Sequence, residues 1–250
     1  IQSGQISSKV SSTDFKTLND KVGNLQAGSR NLVVDGDANA YGATPWGNTT
    51  FRTHLYYYNS TKLMFVIDTS AKTELTAGCP NWFPVKAGHQ YTLYFNGFMS
   101  SNVSSYDVWL LGKQADAQGI YTDNYQIITG ERLDPSHNCI VTRTFTVPSS
   151  WSNYVAYIRF DNNGSTDGKS AVLFFNEVSV KEGNINTGYS PAPEDSIALI
   201  KKNTTAIDQT NKQISLKADQ TEVDKVKQTA SQNSSQLNVM ANEIKSKVTS

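Results

Sequence analysis

The sequence predicts an all-β domain, a sandwich or barrel, flanked by short α-helical segments of coiled-coil character. Three observations predict it. Residues 29–193 hold all four Trp, all twelve Tyr and nearly all the Phe, in short apolar runs separated by turn clusters. Residues 196–250 contain no aromatic residue, Gly, Pro or Cys. A short phrase occurs three times: ISSKVSS at 6–12, ISLKADQ at 214–220 and IKSKVTS at 244–250. Two ends built from one repeat, with an unrelated segment between them, describe a fibre interrupted by a globular module. The expected divisions are residues 1–28, 29–190 and 191–250. The chain begins without Met and stops inside the third copy of the phrase, so it reads as a piece of a longer protein.

The first copy runs into a predicted helix capped by Thr13, with Phe15, Leu18, Val22 and Leu25 along its seam. Thr13, Phe15, Leu18 and Val22 align with Thr221, Val223, Val226 and Ala230 of the second copy. A helix this short is marginal alone in water, and association would supply the missing burial.

The middle segment reads as strands over 31–34, 51–58, 63–67, 91–99, 107–111, 125–128, 140–147, 154–160 and 171–181. Turn clusters AGSRN, TPWGN, DNNGSTDG and KEGN separate several of them. No useful helical period occurs there. Within 51–58, alternation places Phe51, Thr53, Leu55 and Tyr57 on one face. Arg52, His54, Tyr56 and Tyr58 fall on the other, wetter face. DNNGSTDG has the residue types of a calcium loop but lacks the closing bidentate Glu, so it reads as a hairpin turn.

The C-terminal segment carries Ile200, Ile207 and Ile214 at sevenfold spacing, with Ile197, Thr204, Asn211 and Ala218 as companions. A second heptad seam runs through Val223, Val226, Ala230, Asn233, Leu237, Met240 and Ile244, with Thr221 as helix cap and Glu222 in the first turn. The phase breaks between Ala218 and Val223, where ISLKA alternates like a short strand. A segment without aromatics has no core of its own. It buries its aliphatics against another chain or is a disordered linker. Successive Ile at seam positions favours three or more strands, and a seam Asn sets register.

Several classes are disfavoured. Lys+Arg and Asp+Glu both number 22, with no basic stripe to follow a phosphate backbone, so nucleic acid is not an expected partner. No run approaches the length of a membrane span. Cys79 and Cys139 would make at most one disulfide and no zinc site, and His54, His89 and His137 lack ligand spacing. Asp107, Asp116, Glu131 and Asp134 sit in no catalytic motif, so this piece is not expected to be an enzyme. A cell-wall hydrolase elsewhere in the full-length protein is compatible with that.

Local phrasing then adds a resemblance. NLVVDGDA (31–38) resembles the first strand of jelly-roll carbohydrate-binding modules, VKAGHQYTLYFNGFM (85–99) their extended strand after a small-residue turn, and AVLFFNEVSVKEGN (171–184) their last strand. The following GYSPAPED resembles the exit used by such modules in tail proteins of phages infecting Gram-positive bacteria, where it leads into repeats of the ISLKAD type. The resemblance spans roughly residues 31–188. It implies a jelly-roll module inserted in a tail-tip, tail-fibre or tail-associated lysin protein, sited on the virion and acting at the bacterial surface. The implied partners are a cell-envelope polysaccharide of a Gram-positive host, two further copies of the chain, and other tail proteins. The alternatives are a ligand-free spacer in the fibre and an ancillary module of a secreted polysaccharide-degrading enzyme.

Sugars present flat C–H faces, on which aromatic rings stack, and hydroxyls, which pair with amides, carboxylates and guanidinium groups. The candidate binding residues are Trp46, Arg52, His54, Tyr56, Tyr58, Trp82, Tyr121 and Tyr125. Trp46 and Trp82 would serve equally as plugs of the sandwich. Trp109 reads as core, and Trp151 as packing at a sandwich edge. No cofactor is required. The resemblance implies a structural calcium where first and last strands meet, held by Asp35 or Asp37 with Asn176 and Glu177. The family commonly has two acids at the position of Asn176-Glu177.

Overall fold

The computed structural model describes residues 27–248. Ten strands are followed by one helix: β1 (Thr50–Thr53), β2 (Leu63–Thr69), β3 (Leu75–Gly78), β4 (Phe83–Val85), β5 (Gln90–Met99), β6 (Tyr106–Gln114), β7 (Asp123–Glu131), β8 (Cys139–Thr146), β9 (Tyr154–Asn162), β10 (Ala171–Glu182) and α1 (Pro193–Val248). The larger sheet has the order β1-β2-β10-β5-β8. The smaller has the order β3-β9-β6-β7, and β4 pairs with the same edge of β9 as β3. From β5 onward the chain passes between the sheets after every strand except at the β6–β7 hairpin. This is the ordering of a jelly roll.

Period-two alternation builds the core between the sheets. Phe65 and Ile67 of β2, Leu93 and Phe95 of β5, and Leu173 and Phe175 of β10 face Val108 and Leu110 of β6 and Ile158 and Phe160 of β9. Phe160 and Phe175 stack across the interface with centroids 4.1 Å apart. Trp151 closes one edge as expected: it is buried and stacks on Tyr154 at 5.1 Å.

The expected strand over 31–34 is not part of a regular ladder. Residues 31–36 run beside the last strand, and an asparagine replaces ladder bonds there. Val180 N donates to Asn31 Oδ1 (3.1 Å), Leu32 N to Val180 O (2.9 Å) and Val178 N to Gly36 O (2.7 Å). Asn31 Nδ2 also donates to Ser190 O at 2.9 Å, so the incoming and outgoing segments of the module lie side by side.

The expected strand over 51–58 ends at Thr53. Tyr58, Asn59 and Ser60 all have left-handed φ (46°, 49° and 63°), which turns the chain back over the outer face of the larger sheet. Tyr57 is consequently buried against Met64, Val66, Phe98 and Phe174 in a small second apolar layer. The short strands β3 and β4 had no counterpart in the sequence reading. DNNGSTDG is no hairpin: it carries the chain from β9 in one sheet to β10 in the other. Cys79 and Cys139 are both free thiols.

Residues 199–248 form a second compact unit. They belong to α1, which is continuous through ISLKA, so the strand-like reading of that phrase does not hold. The apolar side chains of this unit, including Ile200, Ile207, Ile214, Val223, Leu237 and Ile244, are exposed along it. No helix among the described residues is long and apolar enough to cross a membrane. The first copy of the repeat, with Thr13, Phe15, Leu18, Val22 and Leu25, lies outside the described residues.

Candidate functional site

The outer face of the smaller sheet gathers a group of half-buried aromatic and charged side chains. Alternation on β9 turns Ala156, Ile158 and Phe160 inward, and therefore Tyr157, Arg159 and Asp161 to the other side, where Asp161 is itself fully buried. On β6 the inward Val108 and Leu110 leave Asp107, Trp109, Leu111 and Lys113 outward. Strand register aligns them in rows: Gly78, Arg159, Trp109 and Gln126 share one, and Tyr157, Leu111 and Asn124 the next.

Two aromatic stations result. Trp82, on the bend between β3 and β4 and 36% exposed, meets Tyr157 edge-on with centroids 4.7 Å apart. Tyr121, from the β6–β7 loop, approaches Tyr157 at 6.3 Å. Lys113 Nζ stands 4.7 Å over the Trp82 ring and donates to Gly119 O at 2.8 Å, which fixes the loop against the tryptophan. The second station is Trp109, with the Arg159 guanidinium 5.8 Å from its centre. The Trp109 indole N–H has no hydrogen-bond partner.

Arg159 donates through Nε and one terminal nitrogen to the two oxygens of Asp161, at 2.8 and 2.7 Å. Burial raises the Asp161 pKa, and the bonds from Arg159 oppose that rise. Burial alone would lower the Arg159 pKa, and the bond to Asp161 together with the attraction of neighbouring acidic groups raises it instead. Asp107 accepts the Gly130 N–H at 2.5 Å. The face therefore offers flat apolar rings beside a guanidinium, Arg159, fixed by the fully buried Asp161, and a side-chain amide, Gln126.

The structure separates the sequence-predicted residues. Trp82 and Tyr121 lie on this face. Tyr125 does not: it leans toward the core, 6.0 Å from Phe145. Trp46 offers no surface at all. It is 0% exposed, packs on Phe65 and Phe175 at 5.2 and 5.5 Å, and donates from its indole nitrogen to Asp35 O at 3.0 Å. Arg52 belongs to the other sheet, and His54, Tyr56 and Tyr58 to the turn over its outer face. Arg52 pairs with Asp68 at 2.9 Å, and His54 packs on Phe98 at 4.5 Å. Tyr157, Arg159 and Trp109 were not among the predicted binders, and Trp109 is outward rather than core. The alternation in YVAYIRF and DVWLL carries the signal for all three.

The residues expected to hold calcium form a hydrogen-bond network. Ala38 N donates to Asn176 Oδ1 at 2.8 Å, which fixes the orientation of that amide. Its Nδ2 must then face Asp37 Oδ1 (2.8 Å) and Tyr57 OH (2.9 Å). Tyr57 OH in turn donates to Glu177 Oε1 at 3.0 Å, and Asn96 Nδ2 donates to Glu177 Oε2. Asp37 and Glu177 are thus joined through donors rather than sharing an oxygen shell. The Asp35 carboxylate has other partners, Thr44 Oγ1 at 3.5 Å among them; its backbone N–H donates to Asp195 Oδ1 at 3.1 Å, and burial raises the pKa of both carboxyls. Among the described residues, no group of three His, Cys, Asp or Glu is placed to hold a metal.

The sequence matches no family model and no curated protein. Among solved structures it is similar to a family 16 carbohydrate-binding module, at 17% identity and a TM-score of 0.41, over 60% of this chain and 99% of that one. It is also similar to the tripod from the baseplate of bacteriophage Tuc2009, at 14% identity and 0.41, over 68% and 61% of the two chains. A xylan-binding domain from Paenibacillus barcinonensis gives 11% identity and 0.37, over 64% and 99%.

Proposed function

We propose that the chain is a non-catalytic carbohydrate-binding module of a phage tail protein, which adsorbs the virion to saccharides of a Gram-positive cell wall. The observation that carries this reading is the outward grouping of Trp82, Tyr157 and Tyr121 beside Arg159 and Trp109 on one sheet face. Water-facing aromatics backed by an ordered sheet suit the C–H faces of sugars, and Arg159, held in place by the buried Asp161, and Gln126 suit their hydroxyls. A binding role fits the acids better than catalysis: Asp161 is held by Arg159, and Asp107 by Gly130 N–H.

The exposed apolar ladder of α1 supports display on a homotrimeric stalk through the flanking repeats. Single-site sugar affinity is weak, and three copies acting together would raise avidity by orders of magnitude. The test is adsorption of the tagged protein to a panel of Gram-positive cells, with extracted wall polysaccharides as competitors. Trp82→Ala combined with Tyr157→Ala should lower adsorption at least tenfold at an unchanged melting temperature. A folded oligomer that adsorbs to no strain would make the module a structural spacer.

A further inference from the structure

The opposite face of the sandwich carries a second constellation that the smaller-sheet site does not use. Glu177 sits on a bulge of β10, where the register to β5 shifts between Asn176 and Ser179, and its φ is +53°. Left-handed geometry is unfavourable for a non-glycine residue and persists where the surroundings fix it. Here the surroundings grip the carboxylate: Tyr57 OH donates to one oxygen at 3.0 Å and Asn96 Nδ2 to the other. These bonds use about two of roughly four acceptor positions on the carboxylate. Asn138 Nδ2 donates to Asn96 Oδ1 at 3.3 Å, while the buried Asn138 Oδ1 has no partner.

Over this network stands the turn 54–62, with three consecutive left-handed residues at Tyr58, Asn59 and Ser60. It leaves Tyr56 and Tyr58 40% and 54% exposed. Lys62 Nζ lies 3.9 Å from the Tyr58 ring centre. The turn packs Tyr57 inward and sets Tyr56 against Phe98 at 5.3 Å, yet it leaves the Tyr58 ring more than half exposed beside a half-buried carboxylate with free acceptor positions.

We propose that this outer face of the larger sheet is a second saccharide-binding surface. Tyr58 is its stacking ring, and Glu177 accepts from sugar hydroxyls. The proposal rests on the reading of the chain as a saccharide binder. Two sites on opposite faces would let one module bridge neighbouring glycan strands, which a single face does not do.

The experiment is calorimetric titration of the full chain with polysaccharide extracted from Gram-positive walls. It compares the intact protein, Tyr58→Ala, Glu177→Gln, the Trp82→Ala/Tyr157→Ala pair, and that pair combined with each of the other two. The expected result is residual binding in the Trp82/Tyr157 variant, which Tyr58→Ala or Glu177→Gln lowers a further tenfold or so. Tyr58→Phe should restore it, and melting temperatures confirm folding. If the Trp82/Tyr157 variant retains nothing, or its residual binding ignores Tyr58 and Glu177, the second surface is overturned alone. If the Trp82/Tyr157 pair is silent while Tyr58→Ala abolishes binding, the smaller-sheet assignment falls and this one stands. If the intact chain binds no extract, both fall.

Discussion

Gly78 lies against the ring of Tyr157: a Cβ added at Gly78 would come within 2.8 Å of Tyr157 Cε2. Tyr157 in turn supports Trp82 and Tyr121 edge-on, so one missing methyl group makes room for a cluster of three rings. The Gly78 backbone is compatible with alanine, because its φ is not in the left-handed region. Gly78→Ala should therefore displace Tyr157 without unfolding the sheet. The expected outcome is a loss of polysaccharide affinity of about tenfold, with a melting temperature within a few degrees of the parent. Unchanged affinity in competition adsorption would remove Tyr157 from the binding face.

Trp46 makes the opposite prediction. Its ring fills the core among Phe65, Phe160 and Phe175, and its indole N–H ties the incoming segment through Asp35 O. Trp46→Ala should destabilise the module by ~3–5 kcal/mol through the cavity it leaves. Trp46→Phe should lose less, with about 1 kcal/mol of that from the missing hydrogen bond. Urea unfolding of the two variants checks both magnitudes. A small effect of Trp46→Ala on stability, together with loss of adsorption, would return Trp46 to the binding surface.

How these residues read in the sequence depends on what local pattern can encode. Strand β9 alternates cleanly, and its inward face follows from sequence alone, whereas β5 is apolar on both faces and β10 alternates only up to the bulge at Glu177. Trp109 followed the same rule, since Val108 and Leu110 on either side are inward, yet its own hydrophobicity pointed to the core. Trp46 failed for another reason. TPWGN marks a turn, but turn chemistry does not say on which side of the turn a side chain lies. Residues 51–58 alternate as a strand would, and nothing in TFRTHLYYYNS announces three left-handed residues in succession. The Asn31 and Asn176 networks were illegible because their partners are more than a hundred residues away.

The two thiols should differ sharply in reactivity. Cys79 is buried beside Val34 O, and burial pushes its pKa up to about 12. Since the thiolate is the nucleophile, Cys79 should be inert near pH 8 in the folded protein. Cys139, at the start of edge strand β8, is partly exposed. A maleimide or aromatic disulfide reagent should modify one thiol per chain in the native protein and two after unfolding, and Cys139→Ser should abolish the native reaction. Equal rates for both thiols, or none free, would contradict the arrangement.

Asp167 should give the sheet crossover between β9 and β10 an acid-sensitive clamp. Its carboxylate accepts from Asn102 Nδ2 (2.9 Å), Lys169 N (3.0 Å) and Ser165 Oγ (3.0 Å). These bonds, that from Asn102 foremost, lower its pKa to about 2. A carboxyl whose folded pKa lies below its unfolded value of about 3.9 stabilises the fold above that unfolded value. The contribution is lost as pH falls toward 2. Asp167→Asn should therefore melt below the parent at pH 6, and the gap between the two should close as pH falls from about 4 to about 2. The comparison must be between the two proteins, because Glu182, whose pKa is also lowered by its bond from Lys86, weakens both in acid. A gap that stays constant over this range would mean that the Asp167 charge does not hold the crossover against the loop at Asn102.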